Sequence, residues 1–201
     1  MSYFWAKFQK IGIDVFRYDT RIYLQSIRAP SENDICIGAI VGKNPGSAKA
    51  NNLNIIPLQQ IKLDGDKLLP TVRNILLKSF NKAGKTMSSG GYIQVLNLFY
   101  LCDPVLVNAI GSIVKYDFPM YCNSESKAFH WIWYVWGGEN VNLSNFKHRF
   151  RNFNAKEHFF FDWKTKSINK HVPGPKDFAR HTQGLSHESI VPYISELIKN
   201  G

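Results

Sequence analysis

The run Ile35-Cys36-Ile37-Gly38-Ala39-Ile40-Val41 is apolar and rich in β-branched residues, and it breaks at once into Gly42-Lys43-Asn44-Pro45-Gly46-Ser47. The run predicts a buried strand. The break predicts a tight polar turn, since Gly and Pro are the strongest punctuation in a chain. Open α/β sheets hold their ligands where a buried strand opens into a polar loop at its carboxyl end. Pro45 fixes its own φ and biases Asn44 toward extended backbone. Glycines permit close approach of the backbone to a ligand. Asn44 is therefore a short polar side chain on a stiff turn. The plainer reading is a strand and a turn with no further role.

Three more segments repeat the pattern. Residues 92–97 predict a strand that exits through Asn97-Leu98-Phe99-Tyr100. Residues 128–135 predict another, stopping at Trp136-Gly137-Gly138, and residues 157–162 a fourth. Between and after them, helical spacing covers 68–80, a basic aromatic stretch covers 144–153, and a closing helix covers 189–199. Strands alternating with helices predict a three-layer α/β/α fold around a central, mostly parallel four-stranded sheet. One domain spanning 1–201 is expected. The amino-terminal part is less regular. Residues 3–16 read as a short helix and a loop, and 16–27 as a hairpin turning at Asp19-Thr20. Residues 47–66, with Asn51, Asn52 and Asn54, read as a long polar loop facing a substrate. Gly84-Lys85-Thr86 is not a phosphate loop, because Ser79 stands where the first glycine belongs and a strand follows.

Composition narrows the function. The 201 residues carry 25 Lys and Arg against 15 Asp and Glu, a formal charge of +10. That favours an anionic partner, and nucleic acid is the commonest one. With 44% hydrophobic and 20% charged residues the chain is of the globular, soluble kind. No apolar run is long enough to span a membrane, and Met1 to Lys7 do not read as a signal peptide. Cys36, Cys102 and Cys122, odd in number and widely spaced, predict free thiols in a reducing cytoplasm. His148, His158, His171, His181 and His187 lack metal-ligand spacing with paired carboxylates, so neither metal nor cofactor is expected.

Gly42-Lys43-Asn44-Pro45-Gly46-Ser47 resembles the first motif of the uracil-DNA glycosylase superfamily, in the Gly-Ile-Asn-Pro-Gly form of its mismatch-specific uracil/thymine branch. Val95-Leu96-Asn97 is similar to the strand whose terminal Asn reads the extracted base. Val135-Trp136-Gly137 resembles the Leu-Trp-Gly that ends the third strand of that superfamily. His181-Thr182-Gln183-Gly184-Leu185-Ser186 resembles its last motif. The matches follow the family's order across residues 34–190. Two departures are Lys43 for an apolar residue and Thr182-Gln183 for Pro-Ser. The chain also resembles a group of short bacterial and phage proteins with a domain of unknown function, a group that includes anti-phage DNA glycosylases.

The resemblance implies a monofunctional DNA glycosylase, acting as a cytoplasmic monomer on double-stranded DNA. Its substrate would be a flipped-out pyrimidine, modified at C5 and of phage origin, and its product an abasic site. Asn44 would position water and His181 would donate to the base as charge develops, both as catalytic residues. Base contacts fall to Gly42, Lys43, Pro45, Gly46, Ser47, Asn97 and Phe99. DNA contacts fall to Gly137, Gly138, Arg180, Thr182, Gln183, Gly184, Leu185 and Ser186, with Leu185 as a wedge in the base stack. Gly46 stands where the uracil-restricted branch has an aromatic side chain, leaving room for a C5 group. Lys43 would contact a phosphate or form a Schiff base. Two other classes stay open: a non-catalytic nucleic-acid-binding module, and an enzyme acting on free nucleotides or nucleosides.

Overall fold

Strand β3 (Cys36–Gly42) runs through the middle of the sheet, parallel to β6 (Tyr92–Asn97) on one side and β7 (Phe129–Tyr134) on the other. Strand β8 (Ala155–Asp162) is parallel to β7. The computed structural model describes residues 1–47, 49, 50, 53, 57–116, 121–138 and 141–201. Asn51, Asn52 and Asn54 of the expected substrate loop lie outside the described residues.

Alternate residues along these strands feed two separate cores, as the period of two requires. Ile40, Val95, Trp131, Trp133 and Phe159 face one side, where α1 (Leu68–Ala83) and α4 (His187–Asn200) pack together. Val41, Leu96, Ile132, Tyr134 and Phe160 face the other. That second side is covered by α2 (Leu106–Ile113), by α3 (Ser144–His148) and by the 3₁₀ turn after it. Both faces are buried, which is why the strands read as nearly continuous apolar runs.

The expected architecture is corrected. Among the described residues the sheet has nine strands, in the order β4 (Lys49–Ala50), β5 (Gln59–Lys62), β1 (Ser2–Ile11), β2 (Asp14–Ile27), β6, β3, β7, β8 and β9 (Ser167–Asn169), and most neighbouring pairs run antiparallel. A central, mostly parallel four-stranded sheet is therefore not the fold; the class is mixed α/β. The amino-terminal region makes the difference. It is a long hairpin of β1 and β2, with β2 antiparallel to β6. β5 and the short β4 extend that edge, and β9 extends the other.

Neither the expected helix at 3–16 nor the hairpin turn at Asp19-Thr20 forms. The physical reason is a pair of register shifts in β1, at Ser2/Phe4 and Trp5/Lys7, which scramble the period of two. In β2 the kink is Asp19, at φ 43°, inside a continuous strand. The true turn is Gly12-Ile13, with Gly12 at φ 60°. No helix among the described residues is long and apolar enough to cross a membrane.

Candidate active site

β3, β6, β7 and β8 run the same way, so their carboxyl ends open along one edge of the sheet. Backbone bonds tie the first two exits together: Leu98 N–H donates to Gly42 C=O at 3.1 Å, and Phe99 N–H to Lys43 C=O at 3.4 Å. A cleft of about 410 Å³ lies at this edge. Lys43, Asn44, Pro45, Gly46 and Ser47 line it from the turn after β3, and His181 and Gln183 from the loop before α4. Arg17, the segment Gly65 to Leu68 with Asp66 and Lys67, and Pro104 complete its walls. A larger cavity, about 500 Å³, lies against the second core beside Tyr18 and Cys122, and holds none of the candidate residues.

Asn44 is held by its amide. Its Nδ2 donates to Asp103 C=O at 2.7 Å. A carboxamide tethered through nitrogen presents its oxygen on the other side, so Oδ1 is the group available to the cleft.

His181 is oriented in the complementary sense. Its Nδ1 accepts from Gln183 N–H at 3.1 Å, so Nε2 carries the proton and is a donor. Burial, and then the charge of Lys43, hold the imidazolium below the ordinary histidine range, with Asp66 opposing. The ring is a neutral donor at neutral pH. The pH consequence has a definite sign. The unfolded chain takes up this proton first, so stability is expected to fall as pH drops below the unfolded value of 6.5, until the folded value is passed. Burial pulls His158 and His187 the same way, so His181→Asn should remove only part of the slope. Urea midpoints across a pH series for both proteins measure it. Parallel curves would mean that His181 is not held neutral by the fold.

Asn97 ends β6 and pairs with Gly42 at the end of β3. A Cβ on Gly42 would lie 3.0 Å from Asn97 Oδ1 and 3.3 Å from the Leu68 side chain, so a larger residue would have to push both side chains back by a few tenths of an ångström. The Asn97 carboxamide is buried with neither Oδ1 nor Nδ2 hydrogen-bonded, a costly state for a polar group. Its backbone is fixed, because Arg149 Nη2 donates to Asn97 C=O at 2.6 Å and Arg149 also grips Glu125 at 3.0 Å. Two cations of the stretch at 144–153 are thus spent inside the protein, Arg149 and Lys147, the latter 4% exposed and donating to Pro175 C=O, while Arg151 is exposed.

The remaining candidates divide. Gly137, at φ 70°, donates its N–H to Ala179 C=O at 2.7 Å, and a Cβ there would meet His181 at 3.3 Å, so it seats the last loop. Gly138 C=O accepts from Lys43 Nζ at 2.6 Å, which joins the first and third exits. Ser47 Oγ donates to Asp64 C=O. Arg180 stacks on Trp163 and donates to Gly184 C=O at 3.0 Å, holding the turn. Gln183, Gly184 and Ser186 are exposed; Thr182 is buried.

Three expectations change. Leu185 is 6% exposed and packs into the core with Ile190, so it is not a wedge. Phe99 is 3% exposed and packs on Phe146 in the second core, away from the cleft, and does not face a base there. Gly46 has open space beyond it, but its φ is 65°, a conformation that by itself calls for glycine. Room for a C5 group is not needed to explain that residue. Even alanine would strain the turn.

Sequence reading missed Arg17, Asp66 and Pro104. A charge between two aromatic residues, Phe16 and Tyr18, was the weak signal for the first, in a strand that also carries Asp14, Asp19 and Arg21. An Asp just before a helical pattern was a signal for the second, whose Oδ1 accepts from Leu68 N–H at 2.9 Å and Leu69 N–H at 3.3 Å. Comparison of the chain with protein-family models, curated proteins and solved structures gives no match.

Proposed function

We propose that this protein is a DNA glycosylase that hydrolyses the N-glycosidic bond of a flipped-out base. The observation that carries the reading is the pairing of Asn44 and His181 in one cleft. One presents an acceptor oxygen and the other a neutral N–H donor. Hydrolysis needs both. Water adds to C1′ of the sugar while the C1′–N bond breaks and its electron pair leaves with the base. The water proton passes to solvent, and the base is reprotonated from solvent. Asn44 Oδ1 orients the water, and His181 Nε2–H donates to a base oxygen as it gains charge. A carboxamide is a poor base, so positioning dominates and turnover is slow. The formal charge of +10 supports a DNA partner. The preference for a C5-modified pyrimidine, and a role against phage, rest on the motif resemblance alone. With Leu185 in the core, the exposed apolar residue beside the cleft is Val105, next to Pro104, and it is the better wedge.

Duplex DNAs carrying uracil, a thymine mismatch, hydroxymethylcytosine or glucosylated hydroxymethylcytosine test the reading. An abasic-site probe should report excision from at least one of them. Salt-sensitive binding of all four with no abasic product would favour the non-catalytic module instead.

A further inference from the structure

Arg17 has no part in the hydrolysis set out above, yet its side chain is 2% exposed and it lines the cleft shared by Asn44 and His181. A buried guanidinium is costly unless its donors meet acceptors. Here Nη1 lies 3.6 Å from Asp66 Oδ2, an ion pair too long for a hydrogen bond. Neither Nε nor Nη1 is hydrogen-bonded. Asp66 is fixed where it is, since its other oxygen caps the first turn of α1.

Two more buried side chains on the central strands lack partners. Thr20 pairs with Val95, which turns its side chain to the face of the sheet that Asn97 shares. Thr20 Oγ1 and both carboxamide atoms of Asn97 are buried without partners. In the cleft itself Arg17 stands with Lys43 and Lys67 against the single carboxylate of Asp66, so the lining carries net positive charge. It suits a ligand edge rich in acceptors that carries negative charge. In N-glycosidic hydrolysis that edge is the departing base, which keeps the electron pair of the broken C1′–N bond and spreads it onto its ring oxygens.

We propose that Arg17 is a leaving-group residue, its guanidinium holding the base as it becomes an anion. This rests on the glycosylase reading. A purely structural role, pinning β2 to α1 through Asp66, is the competing account.

Binding of free 5-nitrouracil, ionised at neutral pH, is compared with that of uracil, neutral there, by calorimetry. Wild type should prefer the anion by about tenfold or more. Arg17→Met should cut the preference by about threefold or more, leaving only what Lys43 and Lys67 supply, and Arg17→Lys should keep most of it. If Arg17→Met alone does not fold, Arg17→Met with Asp66→Asn removes both charges and takes its place. Equal binding of the two pyrimidines by wild type, no binding of either, or a preference undiminished by loss of Arg17 would overturn the inference. Excision from DNA without anion preference would overturn it and leave the glycosylase reading standing. Anion preference without excision from any DNA would overturn the glycosylase reading and the leaving-group role with it.

Discussion

Asn44→Ala should slow single-turnover base excision by on the order of a hundredfold or more, about 2.7 kcal/mol of transition-state stabilisation, with little change in DNA affinity. The size follows from what the side chain does. Its nitrogen is tethered to Asp103 C=O at 2.7 Å, so the oxygen is held in place before substrate arrives. Pro45 stiffens the same turn. A preorganised acceptor aimed at the attacking water contributes in the transition state far more than in the ground state. Binding should change little, because DNA affinity comes mainly from charge, and asparagine carries none. Rapid-quench excision and fluorescence anisotropy on the same duplex separate the two effects. A rate within threefold of wild type would remove Asn44 from the mechanism.

Trp133→Ala should cost about 3–5 kcal/mol of folding stability. Trp133 is fully buried in the strand next to β3, its ring nearly parallel to Phe159 at 6.1 Å between centroids. Its indole N–H is buried without a partner. That orphan opposes folding by about 1–3 kcal/mol, so Trp133→Phe, which deletes the N–H and keeps a ring, should cost far less than alanine. Urea unfolding of the three proteins measures both differences. Equal losses for Phe and Ala would mean that the indole makes a bond this structure does not contain.

The strands that were legible in the sequence are those buried on both faces. Ile37–Val41 is a continuous apolar run that stops at Gly42, residues 92–96 are interrupted only by Gln94 before Asn97, and runs of that kind admit few alternatives. The helix over 68–83 was legible because Leu69, Val72, Ile75, Leu76 and Phe80 keep one face buried. The amino-terminal hairpin was not. Phe4, Trp5, Ala6 and Phe8 are all buried, and bulges between them remove the alternation that marks a strand. Its place beside β6 depends on pairing between residues far apart in the chain, such as Ile22 with Ile93. Nothing local encodes that contact.

Local sequence determined the turn chemistry around Asn44: Pro45 sets one φ, and Gly46 permits the next, at 65°. Local sequence also determined which segments must be buried. The tertiary structure decided which polar groups share a cleft. Arg17, Asp66 and His181 come from three separate elements and meet only because the strands end at one edge. It decided the proton on His181 as well, since burial and Lys43 set the ring's charge and Gln183 sets its tautomer. It placed Leu185 in the core, although the residues flanking it read as an exposed loop. Burial and electrostatics are sums over neighbours in space. A linear pattern reports them only where neighbours in space are also neighbours in sequence.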